Sequence, residues 1–275
     1  MIDAVLNAAP AWALSHAAPL LVMVPLFLAP LLALVPTGRI AWLISIAATG
    51  ISFLFAIILL GLVQTSPIGV VSYEVGRWPV PLGIELRVDA LNAMILLIVT
   101  TIGLLASVFS WPTVVAEIPK RKRALFYSAF LVCFAGLNGV AITGDAFNLF
   151  VFLEISSIST YVLVALGSGR DRRALPAAFN YLIMGTLGAS FYIIGIGFLY
   201  AATGTLNMYQ ISTLLPELAG HRSVQAGFAF ILVGLGLKAA MWPLHQWLPN
   251  AYSYSPTFVT MFLSATATKV ALYAL

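Results

Sequence analysis

The stretch Asn148-Leu-Phe-Val-Phe-Leu-Glu-Ile-Ser-Ser-Ile-Ser-Thr-Tyr161 is mostly apolar, and Glu154 is the charged residue within it. The chain is 61% hydrophobic and only 8% charged, with a mean hydropathy of +1.03, a composition that soluble globular domains do not have. We therefore predict that this stretch crosses a bilayer. Because an ionisable group inside a membrane span is costly, Glu154 is a candidate functional residue.

Apolar windows long enough to cross about 30 Å of hydrocarbon recur along the whole sequence. They are continuously apolar and do not alternate, which predicts helices and excludes a barrel. The predicted fold class is all-α integral membrane, with about eight transmembrane helices. The eight predicted spans are Ala18 to Val35, Ile40 to Val63, Leu91 to Trp111, Ala124 to Ile142, Ala146 to Leu166, Pro176 to Ala202, Val224 to Trp242 and Pro256 to Leu275.

Basic residues are unevenly distributed between the two sets of alternating loops. One set holds eight, namely Arg39, Lys120 to Arg123, Arg170, Arg172 and Arg173, and the other holds three, namely Arg77, Arg87 and Arg222. The positive-inside rule places the first set in the cytoplasm, which predicts a multi-pass protein of the plasma membrane with its N-terminus outside. The basic loops then contact lipid headgroups, so the net charge of +4 does not indicate nucleic-acid binding.

The longest external connection, between the second and third spans, has a different pattern. Short alternating segments between Val70 and Asp89 flank a turn rich in proline and glycine, which predicts a β-hairpin over the outer face. Asp89 and Asp145 each directly precede a predicted span, and both are expected to act as helix N-caps.

The seventh predicted span is irregular. From Val224 to Tyr254 the segment is longer than one crossing requires, and Pro243 and Pro249 each remove a backbone donor. We predict a broken helix, a feature that is tolerated at membrane depth where it lines a polar cavity or is covered by protein. Transporters place binding groups at such breaks, and Lys238 lies five residues before Pro243.

Three ionisable residues of both signs, Glu154, Lys238 and Lys269, lie inside predicted spans and suggest a proton path. Each also has a structural alternative, because polar groups can simply hold helices together and Lys269 can extend towards the membrane surface. His245 follows Lys238 by seven residues. It is either a proton relay or an ordinary residue of an interfacial loop.

The sequence contains no motif for a cofactor or a metal. It has no glycine-rich phosphate loop after a strand, no His-Glu-x-x-His and no nucleophile elbow. Its single cysteine, Cys133, can form neither a disulfide within the chain nor a cysteine metal site. We therefore expect no cofactor.

Several ordered motifs carry a resemblance to a known family. The 148–161 stretch, Gly236-Leu-Lys-Ala-Ala-Met-Trp-Pro-Leu-His-Gln-Trp-Leu-Pro-Asn-Ala-Tyr252 and Ala267-Thr-Lys-Val-Ala-Leu-Tyr273 resemble the antiporter-like subunits shared by respiratory complex I and the Mrp multisubunit sodium/proton antiporters. The segment Gly83-Ile-Glu-Leu-Arg-Val-Asp89 extends the similarity to nearly all of the chain. The form of the Glu154 motif is most similar to the Mrp D subunit.

The resemblance implies a role for each candidate residue. Glu154 would pair with Lys238 on the broken helix, and Lys269 would be the central lysine of a hydrated axis along the membrane plane. Moving a proton onto or off Lys269 would change how tightly Lys238 and Glu154 associate, and a neighbouring subunit would sense the change. His245 matches a position in the half-channel towards the cytoplasm.

The resemblance also implies an organisation in two parts. Residues 1–123 would form an N-terminal three-helix region with the outer hairpin, and residues 124–275 would form a proton-conducting five-helix half of an inverted repeat, with the second repeat absent. The expected function is a proton-translocating subunit of a sodium/proton antiporter, with other membrane subunits as partners. Two alternatives are a homologous subunit of a complex I-like or membrane-bound hydrogenase complex and a non-conducting scaffold. An enzymatic role, as an NADH:quinone oxidoreductase subunit, would follow only in a complex I-like assembly.

Overall fold

A computed structural model describes residue 6 and residues 9–275 of the chain. The first residues, whose external placement the charge pattern predicts, largely lie outside this part. The described helices are α1 (Ala11–Ser15), α2 (Ala17–Ala33), α3 (Gly38–Thr65), α4 (Ala90–Glu117), α5 (Arg123–Ile142), α6 (Ala146–Ala165), α7 (Ala174–Thr203), α8 (Met208–Leu218), α9 (Arg222–Lys238), α10 (Leu248–Tyr254) and α11 (Thr257–Tyr273). Two strands, β1 (Val71–Glu74) and β2 (Glu85–Val88), lie between α3 and α4.

The predicted all-helical membrane fold is confirmed. Within the described residues, five helices, α3 to α7, are long and apolar enough to cross a membrane. Of these, α5 and α6 are each extended by a short 3-10 turn. The other three predicted spans correspond to α2, α9 and α11, which have 17 residues each. At 1.5 Å per residue such helices are about 25 Å long, somewhat shorter than the hydrocarbon layer.

The loops separate into two ends, as the alternation of charge predicts. At the basic end, Arg170 in the loop after α6 forms an ion pair with Glu117 at the end of α4. At the opposite end, the hairpin contacts the turn before α6, where Leu86 forms a β-bridge with Thr143. We call these the basic end and the hairpin end.

The predicted hairpin is present. Strands β1 and β2 are antiparallel, with Val71 opposite Val88 and Glu74 opposite Glu85. Both predicted caps are also present: the Asp89 side chain accepts from the Asn92 backbone N–H in a capping box, and the Asp145 side chain accepts from the Asn148 backbone N–H. These bonds satisfy backbone donors that a helix leaves free at its start.

Helix α5 is the central helix of the bundle, and most of its residues are buried. It packs against α2, α3, α4, α6 and α11. Its aromatic side chains stack towards α11, where the Phe130 ring lies 5.0 Å from the rings of both Phe258 and Phe262 in edge-to-face geometry. Such pairs add to the burial of apolar surface, so α11 is held against the bundle by its first half.

Helix α9 lies closely against α7. A Cβ atom at Gly195 would lie only 2.7 Å from the carbonyl oxygen of Gly227, so the two backbones are in contact there. Small residues permit this approach, and van der Waals packing between backbones stabilises helix pairs in lipid. The glycine-rich sixth predicted span is therefore a packing surface for the helix that carries Lys238.

Candidate functional site

The site is built around one buried ion pair between α6 and α9. The Lys238 Nζ donates to Glu154 Oε1 at 3.1 Å and to Ser157 Oγ at 2.5 Å. The lysine side chain is 5% exposed and the glutamate side chain 24% exposed. Ser157 lies one turn after Glu154 on the same face of α6, and it donates in turn to the Leu153 carbonyl oxygen at 2.6 Å. The predicted partners Glu154 and Lys238 are therefore brought together by the fold.

Lys238 is the last residue of α9, and the way the helix ends explains its position. Ala240 has a left-handed φ of 55°. The Met241 N–H donates to the Gly236 carbonyl at 2.9 Å and the Ala240 N–H to the Leu237 carbonyl at 3.2 Å, the bonding pattern of a Schellman motif. The lysine charge thus lies in the last turn, where the helix dipole favours a cation.

The predicted break is present, but it begins earlier than the prolines indicate. Helix α9 ends at Lys238, five residues before Pro243 and four before the predicted end of this span at Trp242. Pro249 does not interrupt a helix, because it lies in the first turn of α10, where a missing N–H costs no hydrogen bond. The expectation that both prolines cause the break is wrong, since the Schellman motif at Ala240 ends the helix.

The Leu237 carbonyl oxygen, which already accepts from the Ala240 N–H, has a second donor in the following segment. The Trp247 indole Nε1 donates to the Leu237 carbonyl oxygen at 2.9 Å, in a buried setting. The Trp247 ring also stacks on Tyr181 of α7, with centroids 4.0 Å apart and an interplanar angle of 5°. The broken region is therefore fixed against α7 immediately beside the lysine.

A small cavity of about 20 Å³ adjoins Lys238, and its volume fits about one water molecule. Ser157, Thr160 and Tyr181 contribute hydroxyl-bearing side chains to its wall. Ala267, Val270 and Ala271 of α11 form the opposite wall. Lys238 thus faces both its ion-pair partner and helix α11.

Lys269 does not reach this cavity. Residues 267, 270 and 271 of α11 face Lys238, whereas residue 269 lies on the opposite side of a helix with 3.6 residues per turn. Its side chain is exposed, and its Nζ donates to the Ser264 carbonyl oxygen and to Thr268 Oγ1. The structure therefore joins Glu154 to Lys238 and leaves Lys269 on the outer surface of α11.

Glu154 and Lys269 nevertheless lie at a similar depth. At 1.5 Å per residue, Glu154 is about 12 Å from the start of α6, whose full length is about 30 Å. By the same measure, Lys269 is about 18 Å from the start of α11 at the basic end. Both residues are in the middle third of the bundle, the depth at which a charge is most costly in a bilayer.

Two polar groups near the site are buried without a hydrogen-bond partner among the described residues, Tyr161 Oη and His245 Nδ1. Tyr161 lies one turn after Ser157 on α6, and its ring meets Tyr181 edge-to-face at 4.8 Å. His245 lies in the segment between α9 and α10 and is partly buried. Unpaired buried polar atoms are rare and costly, which marks both side chains as candidates for a hydrogen bond to water.

The hairpin end above the site is closed by a polar cluster that the sequence did not indicate. Glu85 of β2 is buried and accepts from Ser72 Oγ at 2.6 Å and from Asn207 Nδ2 at 2.7 Å. Arg87 Nη1 lies 3.5 Å from the same carboxylate. The Gly144 N–H donates to the Glu85 carbonyl oxygen at 2.9 Å. Glu85 thus connects the hairpin to the turn before α6 and the loop before α8.

Asp145 belongs to the same closed end. Burial raises the pKa of its carboxyl, while the backbone N–H groups of Asn148 and Phe147 act in the opposite direction. Its observed contacts are those of a helix cap.

Glu117 holds the basic end. Its carboxylate accepts from the Thr257 N–H at 2.7 Å and from Thr257 Oγ1 at 2.5 Å, at the start of α11. The same carboxylate is paired with Arg170 at 3.1 Å. A carboxylate at a helix N-terminus is favoured by the helix dipole. Glu117 therefore positions the first turn of the helix that carries Lys269.

Comparison with known proteins agrees with this arrangement. Residues 143–275, which contain the ion pair, match the model of a family described as NADH:quinone oxidoreductase/Mrp antiporter, transmembrane. The chain belongs to this family. The N subunit of the NADH-quinone oxidoreductase of Desulforudis audaxviator (strain MP104C), for instance, is 48% identical over 203 residues, covering 74% of this chain and 40% of the relative. The D subunit of the Na(+)/H(+) antiporter of Bacillus subtilis (strain 168) is 34% identical over 231 residues, covering 84% of this chain and 45% of the relative.

The fold of this antiporter-family member is also that of a solved relative. A chain of the Mrp complex from Dietzia sp. DQ12-45-1b superposes with a TM-score of 0.83 at 28% identity, over 95% of this chain and 47% of the other. The predicted resemblance is therefore confirmed. The chain spans about half the length, or less, of these relatives.

Proposed function

We propose that this chain is a proton-translocating membrane subunit of a multisubunit monovalent cation/proton antiporter, with sodium as the exchanged cation. The observation that carries the proposal is the buried Lys238–Glu154 pair at the end of a broken helix. A charge pair in this position is expensive to keep in a membrane unless it has a use. The name of the Bacillus subtilis relative, the D subunit of a Na(+)/H(+) antiporter, supports the choice of sodium.

The proposed mechanism uses the pair as a switch. While both groups are charged, Coulomb attraction at 3.1 Å holds the ammonium against α6. Protonation of Glu154 removes that attraction and leaves Ser157 as the remaining partner of Lys238. The lysine is then free to lose its proton or to turn towards the cavity beside α11. Each cycle of protonation and release moves a proton through the middle of the bundle.

The other candidate residues have supporting roles in this proposal. His245 exchanges protons between the break and the basic end, and Lys269 takes part from the far side of α11. The step between Lys238 and Lys269 requires a path around α11, because Lys269 faces away from the cavity. Residues 124–275 form the conducting unit, and residues 1–123 hold it at both ends through Glu85 and Glu117.

The proposal extends to location and partners. The chain is a multi-pass protein of the plasma membrane with its basic end in the cytoplasm and its N-terminus outside, on the basis of the loop charges. It works in contact with other membrane subunits, as the relative in the Mrp complex does.

A second candidate function is a homologous proton-pumping subunit in a redox-driven, complex I-like assembly. The specific observation in its favour is the 48% identity to the N subunit of an NADH-quinone oxidoreductase. The two candidates differ in what drives proton movement. Exchange driven by a cation gradient alone supports the antiporter, whereas proton movement that requires an electron donor and a quinone supports the redox-driven pump.

The experiment is cation/proton exchange in everted membrane vesicles that contain the assembled complex. Glu154→Gln and Lys238→Met should each abolish exchange while the amount of assembled complex is unchanged. Glu217→Gln is the matched control, because Glu217 is an exposed carboxyl on α8. Undiminished exchange in both site variants would refute the proposal. Loss of assembly in Lys269→Met, with transport per assembled complex unchanged, would instead favour a scaffold.

A further inference from the structure

Two cavities lie on either side of the stacked rings of Tyr181 and Trp247. The smaller is the cavity of about 20 Å³ beside Lys238, and Tyr181 contributes to its wall. The larger, of about 290 Å³, has Trp247 in its wall. Of these two walls, Tyr181 belongs only to that of the smaller cavity and Trp247 only to that of the larger. The two rings are parallel, with centroids 4.0 Å apart, so the ring pair lies between the two walls.

We call the larger cavity the vestibule. It is lined by the amide side chains of Asn180, Gln246 and Asn250 in addition to Trp247 and apolar residues of α7. All three amide residues are exposed, so the vestibule is open and carries polar groups in a wall that is otherwise apolar. Three neutral amides attract no particular ion, but they hydrogen-bond water readily.

The vestibule lies near the basic end. Asn180 is six residues from the start of α7, or about 9 Å at 1.5 Å per residue. Asn250 lies in α10, which leads directly to Thr257, the residue bound by Glu117 at that end. Water from the basic end can therefore approach the ring pair from one side, while Lys238 lies on the other.

The ring pair is linked to the helix break. The Trp247 indole donates to the carbonyl oxygen of Leu237, the residue directly before Lys238. Tyr181 is held edge-to-face by Tyr161, whose buried hydroxyl has no hydrogen-bond partner among the described residues. A movement of the end of α9 would therefore pull on Trp247, and the Tyr161 hydroxyl could bond to water that enters when the rings separate.

We infer that the stacked Tyr181–Trp247 pair is a gate that controls the access of water, and with it protons, from the vestibule to Lys238. This inference rests on the proposed function for its purpose, but the barrier itself can be measured without any transport. In the closed state the rings keep the Lys238 cavity isolated from the basic end. Separation of the rings would join the two cavities into one hydrated path.

The test measures how fast a thiol in the Lys238 cavity reacts. In the assembled complex, Cys133→Ala removes the native thiol, and Ala271→Cys places a reporter at a buried position in the wall of the small cavity. A small, charged methanethiosulfonate reagent is applied to everted and to right-side-out vesicles. The gate predicts slow labelling from both sides in this background.

Removing one ring should open the path from the basic end only. An aromatic stack contributes about 0.5 to 1.5 kcal/mol, so Tyr181→Ala should raise the labelling rate in everted vesicles about two- to tenfold. Tyr181→Phe keeps the stack and should leave the rate unchanged. Phe230→Ala is the matched control, since it removes a ring from another stacked pair, the one that Phe230 of α9 forms with Phe191 of α7. Tyr181→Leu, which fills more of the space, should change the rate in the same direction as Tyr181→Ala.

Two results would overturn the gate. One is an unchanged labelling rate in both Tyr181→Ala and Tyr181→Leu, and the other is an equal increase with Phe230→Ala. The outcome is separable from the proposed function. Accelerated labelling in a complex that shows no cation/proton exchange would support the gate and refute the function, whereas unchanged labelling with intact, Glu154-dependent exchange would do the reverse.

Discussion

The ion pair predicts an unequal effect of removing its two members on stability. Glu154→Gln leaves the Lys238 ammonium in a site where its side chain is only 5% exposed, with Ser157 as its remaining partner. An uncompensated buried charge of this kind costs about 3 kcal/mol. Lys238→Met leaves the Glu154 carboxyl, whose side chain is less buried at 24% exposed, so we expect a smaller cost of about 1 kcal/mol.

The double variant measures the coupling energy between Glu154 and Lys238. Glu154→Gln with Lys238→Met leaves no unpaired charge, so we expect a total cost of about 2 kcal/mol, whereas additivity would give about 4 kcal/mol. The assay is equilibrium unfolding of the purified chain, residues 1–275, in mild detergent with added denaturing detergent, followed by circular dichroism. A coupling energy below about 0.5 kcal/mol, or a larger cost for Lys238→Met than for Glu154→Gln, would refute this account of the pair.

Two further predictions concern single positions. Ala240→Gly should stabilise the chain by about 0.5 to 1 kcal/mol in the same unfolding assay, because Ala240 has a left-handed φ of 55° that glycine adopts freely, and a destabilised variant would contradict the Schellman end of α9. Asp145→Asn keeps a good N-cap residue and removes the carboxyl whose pKa burial raises. A carboxyl with a raised folded pKa favours folding when protonated and loses that contribution as pH rises through the folded pKa. The variant should therefore gain stability relative to the natural chain as pH rises above about 4, the ordinary pKa of an aspartate, and a difference that does not change with pH would contradict the prediction.

Much of the fold could be predicted because, in a membrane protein, the long apolar windows of the sequence correspond to the helices that cross the membrane. The windows, the hairpin before Asp89 and the caps at Asp89 and Asp145 follow from local patterns, and each is present. The partnership of Glu154 and Lys238 followed from the family resemblance, since residues that are 84 positions apart cannot be paired from periodicity alone.

The features that were missed depend on tertiary contacts. Alanine is not the usual residue at a left-handed helix end, so nothing at Ala240 indicates that α9 stops before Pro243. On α11, Thr266, Lys269 and Tyr273 follow one another at three- and four-residue spacing, which predicts a polar stripe. The spacing does not show which neighbour, if any, covers this stripe. Trp247 and Tyr181 are unremarkable aromatic residues in apolar surroundings until the fold stacks them.

The central claim is that Glu154 gains and loses a proton as the complex works. Infrared difference spectroscopy of the assembled complex in membranes tests it directly, by recording the carboxyl C=O signal when the exchanged cation is added. The account predicts a signal from the natural chain that is lost in Glu154→Gln and retained in Glu217→Gln. An identical signal in the natural chain and in Glu154→Gln would contradict it.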